Sequence, residues 1–165
     1  MSAFSMHYRI ICIIGISGLV IAADQISKLL VMSTLYNPPQ RITVLPGVDF
    51  IQVWNTGVSF GMLSSTSSWV VWMLISLTLV ICCLMLVIMM QTTRLFTIIS
   101  LSAVTGGGIG NAIDRLLYGA VLDFIDVHYR EWHWPAFNIA DCAITLGVVL
   151  LMIDSVKTYK LKHEN

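Results

Sequence analysis

The sequence predicts an all-α membrane protein with four transmembrane helices, and three observations carry that prediction. Hydrophobic residues make up 57% of the 165, while charged residues make up only 11%, against about a quarter in soluble domains. The apolar residues fall into four runs, about 10–32, 69–90, 95–117 and 139–156. Each is long enough, or nearly so, to cross a hydrocarbon core of about 30 Å at about 1.5 Å per residue. Turn signals concentrate in the two longer intervening segments, about 33–68 and 118–138, so the chain reads as a single integral membrane domain.

The first run has a short charged start, and Ala22-Ala23 before Asp24 imitates the layout of a cleaved leader. Hydrophobicity resumes at Leu29-Leu30-Val31-Met32, which makes a full span, so these residues are kept. Beyond it, Asn37-Pro38-Pro39 and Leu45-Pro46-Gly47 signal turns, while Ile42-Thr43-Val44 and Val48-Asp49-Phe50-Ile51-Gln52-Val53-Trp54 are short strand-like runs. The second and third spans are separated by the tight Gln91-Thr92-Thr93-Arg94 turn. Asn138, a good N-cap residue, opens the fourth.

Orientation is read from the flanks. Arg9, Arg94, Lys157, Lys160 and Lys162 lie on one side, against Arg41 and Arg130 on the other, so the positive-inside rule places both termini in the cytoplasm. Segments 33–68 and 118–138 then face outward. Trp69, Trp72, Trp132 and Trp134 fall near the outer interface, where amphipathic rings favour the headgroup level. Nine Lys plus Arg balance nine Asp plus Glu and form no basic stripe, which excludes a nucleic-acid partner and points to lipid or a lipid-linked one. The four cysteines, at 12, 82, 83 and 142, read as small buried hydrophobes, and vicinal Cys82-Cys83 is poorly placed for a disulfide. The nine methionines read as packing or lipid-facing residues.

Charge inside a span costs about 2.5 to 3.5 kcal/mol per Asp, Lys or Arg at mid-helix, so each such residue asks for a reason. Asp24 and Lys28 are four apart on one helical face, an ion-pair spacing. The third span ends Gly106-Gly107-Gly108-Ile109-Gly110-Asn111-Ala112-Ile113-Asp114-Arg115, in which Gly107, Asn111, Asp114 and Arg115 share a stripe and the glycines admit a close neighbour. Asp123 follows just beyond, and Asp141 opens the fourth span from the same side. Topology therefore gathers these groups toward one leaflet. That suits a site at one surface better than an ion pathway, which needs polar groups through the full depth.

Each acid also has a structural explanation. Asp24 with Lys28 and Asp114 with Arg115 read as neutralised pairs that fix packing, Asp49 and Asp126 as solvated loop residues, and Asp141 as half of a capping box with Asn138. Capping does not explain a second acid, Asp123, delivered to the same interface. Two adjacent carboxyls raise one another's proton affinity, so one stays protonated while its partner ionises, which makes an acid and base pair for water. Other catalytic sets fail. His128-Tyr129-Arg130-Glu131-Trp132-His133 lacks the order that puts two imidazoles one turn apart, so no metal is expected. No nucleophile elbow is present, and the glycine-rich run lacks the Lys-Ser/Thr of a phosphate loop.

Five ordered motifs resemble the lipoprotein signal peptidase (signal peptidase II) family of bacterial membrane aspartic peptidases: Asp24-Gln25-Ile26-Ser27-Lys28; Asn55-Thr56-Gly57-Val58-Ser59-Phe60-Gly61; Gly107 to Arg115; Val121-Leu122-Asp123-Phe124; and Phe137-Asn138-Ile139-Ala140-Asp141. The resemblance implies a catalytic pair at Asp123 and Asp141. It implies supporting or substrate-contacting roles for Asp24, Lys28, Asn55, Gly108, Asn111, Asp114, Arg115, Asn138 and Ala140. It further implies a small extracytoplasmic β-sheet cradle between helices 1 and 2, lipid-modified prolipoproteins as substrates beside the membrane lipids, no cofactor, a monomer, and a place in the bacterial inner membrane with the site on its outer face. Cys142 departs from the small hydroxyl residue more usual there. Two rivals stand beside this reading. A small membrane transporter or lipid carrier would use the buried Asp and Arg as ion or headgroup sites. A non-catalytic membrane scaffold would tolerate Ala at both acids.

Overall fold

A computed structural model describes residues 6–35, 40–57 and 68–163. In chain order the elements are α1 (Met6–Leu35), β1 (Ile42–Leu45), β2 (Val48–Asn55), α2 (Ser68–Gln91), α3 (Leu95–Tyr118), β3 (Val121–Tyr129), β4 (Trp132–His133) and α4 (Ile139–His163). All four helices are long and apolar enough to cross a membrane, and their bounds bracket the four runs read from the sequence. The turn expected at Asn37-Pro38-Pro39 and the motif residues Val58-Ser59-Phe60-Gly61 lie outside the described residues.

Helix α3 is the axis of the bundle. Some 61% of its apolar window is buried, against 17% for each of the other three, because α1, α2 and α4 all pack on it. α1 turns one stripe inward, Ile13, Ser17, Asp24, Lys28, Val31 and Leu35, spaced at about one or two turns. Glycines set the closeness of the helices. A Cβ at Gly106 would sit 2.9 Å from the Ser17 carbonyl oxygen of α1, and one at Gly147 would sit 2.6 Å from Val104 Cγ2 and 2.7 Å from the Ser100 carbonyl oxygen of α3. At Gly107 a Cβ would collide with the Ala140 carbonyl oxygen. Gly119, in the left-handed region at φ 72°, ends α3, and its N–H donates to the Arg115 carbonyl.

The expected small sheet is present as the β1–β2 hairpin and is wider than the sequence suggested. The second outward segment contributes β3 and β4, giving an antiparallel order β1-β2-β3-β4. β3 escaped notice because Val121-Leu122-Asp123-Phe124-Ile125-Asp126 is buried almost throughout, so its sequence does not alternate cleanly. The sheet rests on the end of α1 through Val31, Leu35, Leu122 and Phe124, with Phe50 edge-on to Phe124 at 5.6 Å. At the opposite end Ile13, Met89, Ile98 and Leu101 form a second cluster, and Arg94 pairs with Asp154 at 2.7 Å.

Two expectations are corrected here. Asp49 and Asp126 are not solvated: they face one another across β2 and β3 and are 2% and 3% exposed. Directly opposed carboxylates repel, and Arg41 offsets this by reaching Asp49 at 3.2 Å and Asp126 at 2.8 Å. His128 stands 3.1 Å from Asp49 and His133 stands 2.9 Å from Asp126. The cysteines are free, as expected, but Cys83 and Cys142 are exposed rather than buried.

Gly147→Val would force its branched side chain into α3 backbone. It is expected to lower stability by about 1 to 3 kcal/mol, read as a drop in thermal midpoint of the purified protein in detergent.

Candidate active site

Three charged side chains are sealed inside the bundle. Lys28, 2% exposed, places Nζ 2.7 Å from Asp24 Oδ2 and 2.9 Å from Asp114 Oδ2, and those acids are 0% and 1% exposed. The ammonium also donates to Asn111 Oδ1 at 3.2 Å. Gln25 Nε2 donates to Asp114 Oδ1 at 2.9 Å, with Asp24 Oδ2 and the Gly110 carbonyl within 3.3 Å. The Asp24–Lys28 pair read from the spacing is therefore formed. The Asp114–Arg115 pair is not, because successive helix residues point about 100° apart. Asp114 turns to the lysine, and Arg115 turns toward the open side of the bundle.

Asp24 and Asp114 each have one further contact, and both contacts go to main chain. Asp24 Oδ1 accepts the N–H of Ala140 at 3.0 Å, and Asp114 Oδ2 accepts the N–H of Leu122 at 3.1 Å. Ala140 immediately precedes Asp141, and Leu122 immediately precedes Asp123. One buried cation with its two acids thus holds the backbone that presents both candidate carboxyls.

Those carboxyls are held by neutral amides. Asn55 Nδ2, on the neighbouring strand, donates to Asp123 Oδ2 at 3.0 Å, and Asn138 Nδ2 donates to Asp123 Oδ1 at 2.8 Å. Asn111 Nδ2 donates to Asp141 Oδ1 at 2.8 Å. The capping box forms as read: the Asn138 N–H donates to Asp141 Oδ2 at 3.1 Å, and the Asp141 N–H donates to Asn138 Oδ1 at 3.0 Å. Asn138 therefore touches both acids. Both line one cavity of about 1130 Å³, whose walls also include Asn55, Gly108, Asn111 and Arg115. Arg115 is fixed at its edge by donating to the Gly57 carbonyl at 2.7 Å. Among the described residues no cluster of His, Cys, Asp and Glu is arranged to hold a metal ion.

Burial pushes the Asp123 carboxyl up to about 6, and the charge of Asp141 adds to the rise. The bonds from Asn55 and Asn138 and the charge of Lys28 oppose it. An acid with this environment keeps a proton at a pH where an ordinary carboxyl has lost it.

The sequence profile described as Signal peptidase (SPase) II matches residues 16–157. The chain belongs to the signal peptidase II family. It is accordingly an aspartic-type peptidase. The lipoprotein signal peptidase of Burkholderia vietnamiensis is 45% identical over 149 residues, 87% of each chain, and that of Burkholderia cenocepacia is 44% identical over the same share. Two solved structures, each described as a bacterial membrane enzyme, share the fold. One has a TM-score of 0.81 at 29% identity, covering 93% of this chain and 92% of its own. The other has a TM-score of 0.75 at 30% identity, covering 88% and 92%.

Among the described residues, the family-motif side chains Asp24, Lys28, Asn55, Asn111, Asp114, Arg115, Asp123, Asn138 and Asp141 converge on this end of the bundle. Gln25 was not among them, although it ties Asp24 to Asp114 and lies within the first motif. The Arg41, Asp49, Asp126, His128 and His133 group was missed as well. Its signal was an acid on each of two strands, visible only once their register is known.

Lys28→Met would leave two buried acids without a counter-charge and is expected to cost about 3 to 5 kcal/mol, measured by thermal unfolding in detergent. Asp123 binds its proton more tightly folded than unfolded, so its contribution is complete below the ordinary carboxyl value of 3.8 and is lost as pH rises through about 6. Between these limits Asp123→Asn is therefore expected to lose less stability than the parent, by on the order of 1 to 2 kcal/mol after solvent screening. Parallel melts across that pH range check this.

Proposed function

We propose that this chain is a membrane endopeptidase that removes the signal peptide from diacylglyceryl-modified prolipoproteins, cutting immediately before the lipidated cysteine, with Asp123 and Asp141 activating water. The observation that carries the reading is the contrast between two pairs of acids. Asp24 and Asp114 share a buried ammonium. Among the described residues, Asp123 and Asp141 have only asparagine amides and one main-chain N–H as direct hydrogen-bond donors. They share a cavity, which leaves a proton to be divided between them.

In this mechanism the ionised member takes a proton from water as that water attacks the scissile carbonyl. The protonated member hydrogen-bonds to the carbonyl oxygen as negative charge develops there. Collapse of the tetrahedral intermediate breaks the C–N bond, and the leaving amine takes a proton from the pair, which ends with the proton count it began with. No covalent enzyme intermediate and no cofactor are required. The pair titrates jointly, so acid and base roles belong to the pair. A substrate lipid held in the bilayer brings the bond to the level of the acids, and this positioning replaces long sequence recognition.

Orientation and assembly belong to the same proposal. Arg9 and Arg94 stand at the end opposite the cavity, with Lys157 at the end of the last span, which supports cytoplasmic termini and an extracytoplasmic site. The chain acts as a single-domain monomer in the inner membrane. The carrier reading is weakened by the apolar Ile13, Met89, Ile98 and Leu101 cluster across the other half of the bundle.

Asp123→Asn and Asp141→Asn are each expected to slow cleavage of a lipidated precursor by at least about a thousandfold while leaving the protein folded in the membrane. An unlipidated version of the same precursor should resist the parent enzyme. Undiminished cleavage by either variant, followed by gel shift of the precursor, would rule out the pair.

A further inference from the structure

The pairing of Lys28 with its two acids leaves one polar neighbour unexplained, Gln25 of α1. Its Nε2 lies 2.9 Å from Asp114 Oδ1, 3.2 Å from Asp24 Oδ2 and 3.3 Å from the Gly110 carbonyl oxygen. All three neighbours are oxygens, so the amide nitrogen and not the amide oxygen must face them. An amide brings two N–H donors and no further charge to a site that already holds two carboxyls and one amine. A Glu of the same shape would bring a third acid.

The oxygens of the two acids are not served alike. Asp24 Oδ2 accepts from Lys28 at 2.7 Å as well as from Gln25, and Asp24 Oδ1 accepts the Ala140 N–H. Asp114 Oδ2 is shared by Lys28 at 2.9 Å and the Leu122 N–H at 3.1 Å, whereas Oδ1 has Gln25 as its hydrogen-bond donor among the described residues. Asp114 is 1% exposed, so solvent offers Oδ1 no substitute. Without Gln25 that oxygen is left unpaired in the interior, the costly state of a buried acceptor. A carboxyl turns about its last bond more freely than about the others, and the donors within its reach are the ammonium and the N–H that Oδ2 now holds. Turning to recover a donor therefore loosens the grip on Leu122, whose next residue is Asp123. Each oxygen of Asp24 keeps a donor, Lys28 or Ala140, so the segment that presents Asp141 is not drawn along.

We propose that Gln25 is a positioning residue for Asp123: by fixing the rotation of the Asp114 carboxyl it holds the Leu122 N–H, and so sets the place of Asp123 and not that of Asp141. Its effect on cleavage rests on the peptidase reading above, and the link from Gln25 to Leu122 does not.

The test uses the purified full chain in detergent micelles. Gln25→Met keeps the length of the side chain and removes both donors, and Gln25→Asn keeps the amide but draws it back by one methylene. Amide hydrogen exchange, read by NMR, compares Leu122 with Ala140. Leu122 is expected to exchange about tenfold faster in Gln25→Met and about threefold faster in Gln25→Asn, with Ala140 changed less than about twofold. With a lipidated precursor, kcat is expected to fall about tenfold in Gln25→Met while KM stays within about twofold, since a displaced acid weakens the transition state rather than binding. The pH profile of kcat reads Asp123 more directly. Displacement lengthens the bonds from Asn55 and Asn138 that hold its proton affinity down, so the limb belonging to the acid pair moves to higher pH. Asp141, Lys28 and Arg115, the other charged groups acting on or near Asp123, are left in place by either variant. Thermal midpoints show which variants are folded, and Gln25→Asn carries the comparison where Gln25→Met does not fold. Equal exchange at Leu122 and Ala140, or a parental kcat and pH limb in the folded variants, overturns the proposal. Faster exchange at Leu122 beside a parent that cleaves no lipidated precursor removes the peptidase reading and leaves Gln25 in its role of placing the chain before Asp123.

Discussion

Lys28 between Asp24 and Asp114 is the contact on which the rest of the molecule depends. Three charges taken out of water are expensive, and an apolar substitute of equal volume could match them for stability. Their use lies in geometry. The ammonium draws one acid from α1 and one from α3, and Asp24 Oδ1 and Asp114 Oδ2 then take the main-chain N–H groups of Ala140 and Leu122. Two segments that enter the site from different directions are located by the same ion. A shift of the lysine would displace both acids that follow those amides.

The same arrangement separates four aspartates of one residue type into two kinds. Asp24 and Asp114 are given a formal counter-charge in Lys28. Asp123 and Asp141 are given asparagines, which hold their geometry without supplying a full charge. Asn111 connects the two sets, since its carbonyl oxygen accepts from Lys28 while its amide nitrogen donates to Asp141. The structural pairing and the candidate chemistry are therefore neighbouring shells of one hydrogen-bond network.

The sheet carries this order outward. β3 carries Asp123 near its start and His128 near its end, where His128 stacks on His133 of β4, and β2 brings Asn55 alongside it. Arg41 bridges the buried Asp49 and Asp126, which stand opposite one another on β2 and β3. A slip of one residue would turn Asn55 away from Asp123.

Much of this was legible in the residues themselves. Length and hydropathy determined four spans, because a helix must supply about twenty apolar residues to cross a bilayer. The spacing of Asp24 and Lys28 determined their pairing, and Asn138 with Asp141 announced a cap, since both are local rules of helix geometry. The resemblance of five motifs pointed to Asp123 and Asp141. Tertiary structure decided the partners that no local rule can choose. Adjacency suggested Arg115 for Asp114, but helix rotation gave it Lys28. Asp49 and Asp126 looked solvated until strand register buried them face to face, and β3 was hidden because a strand covered on both sides loses its alternation. Which glycine serves packing likewise depends on what stands opposite, and that is fixed only when the helices meet.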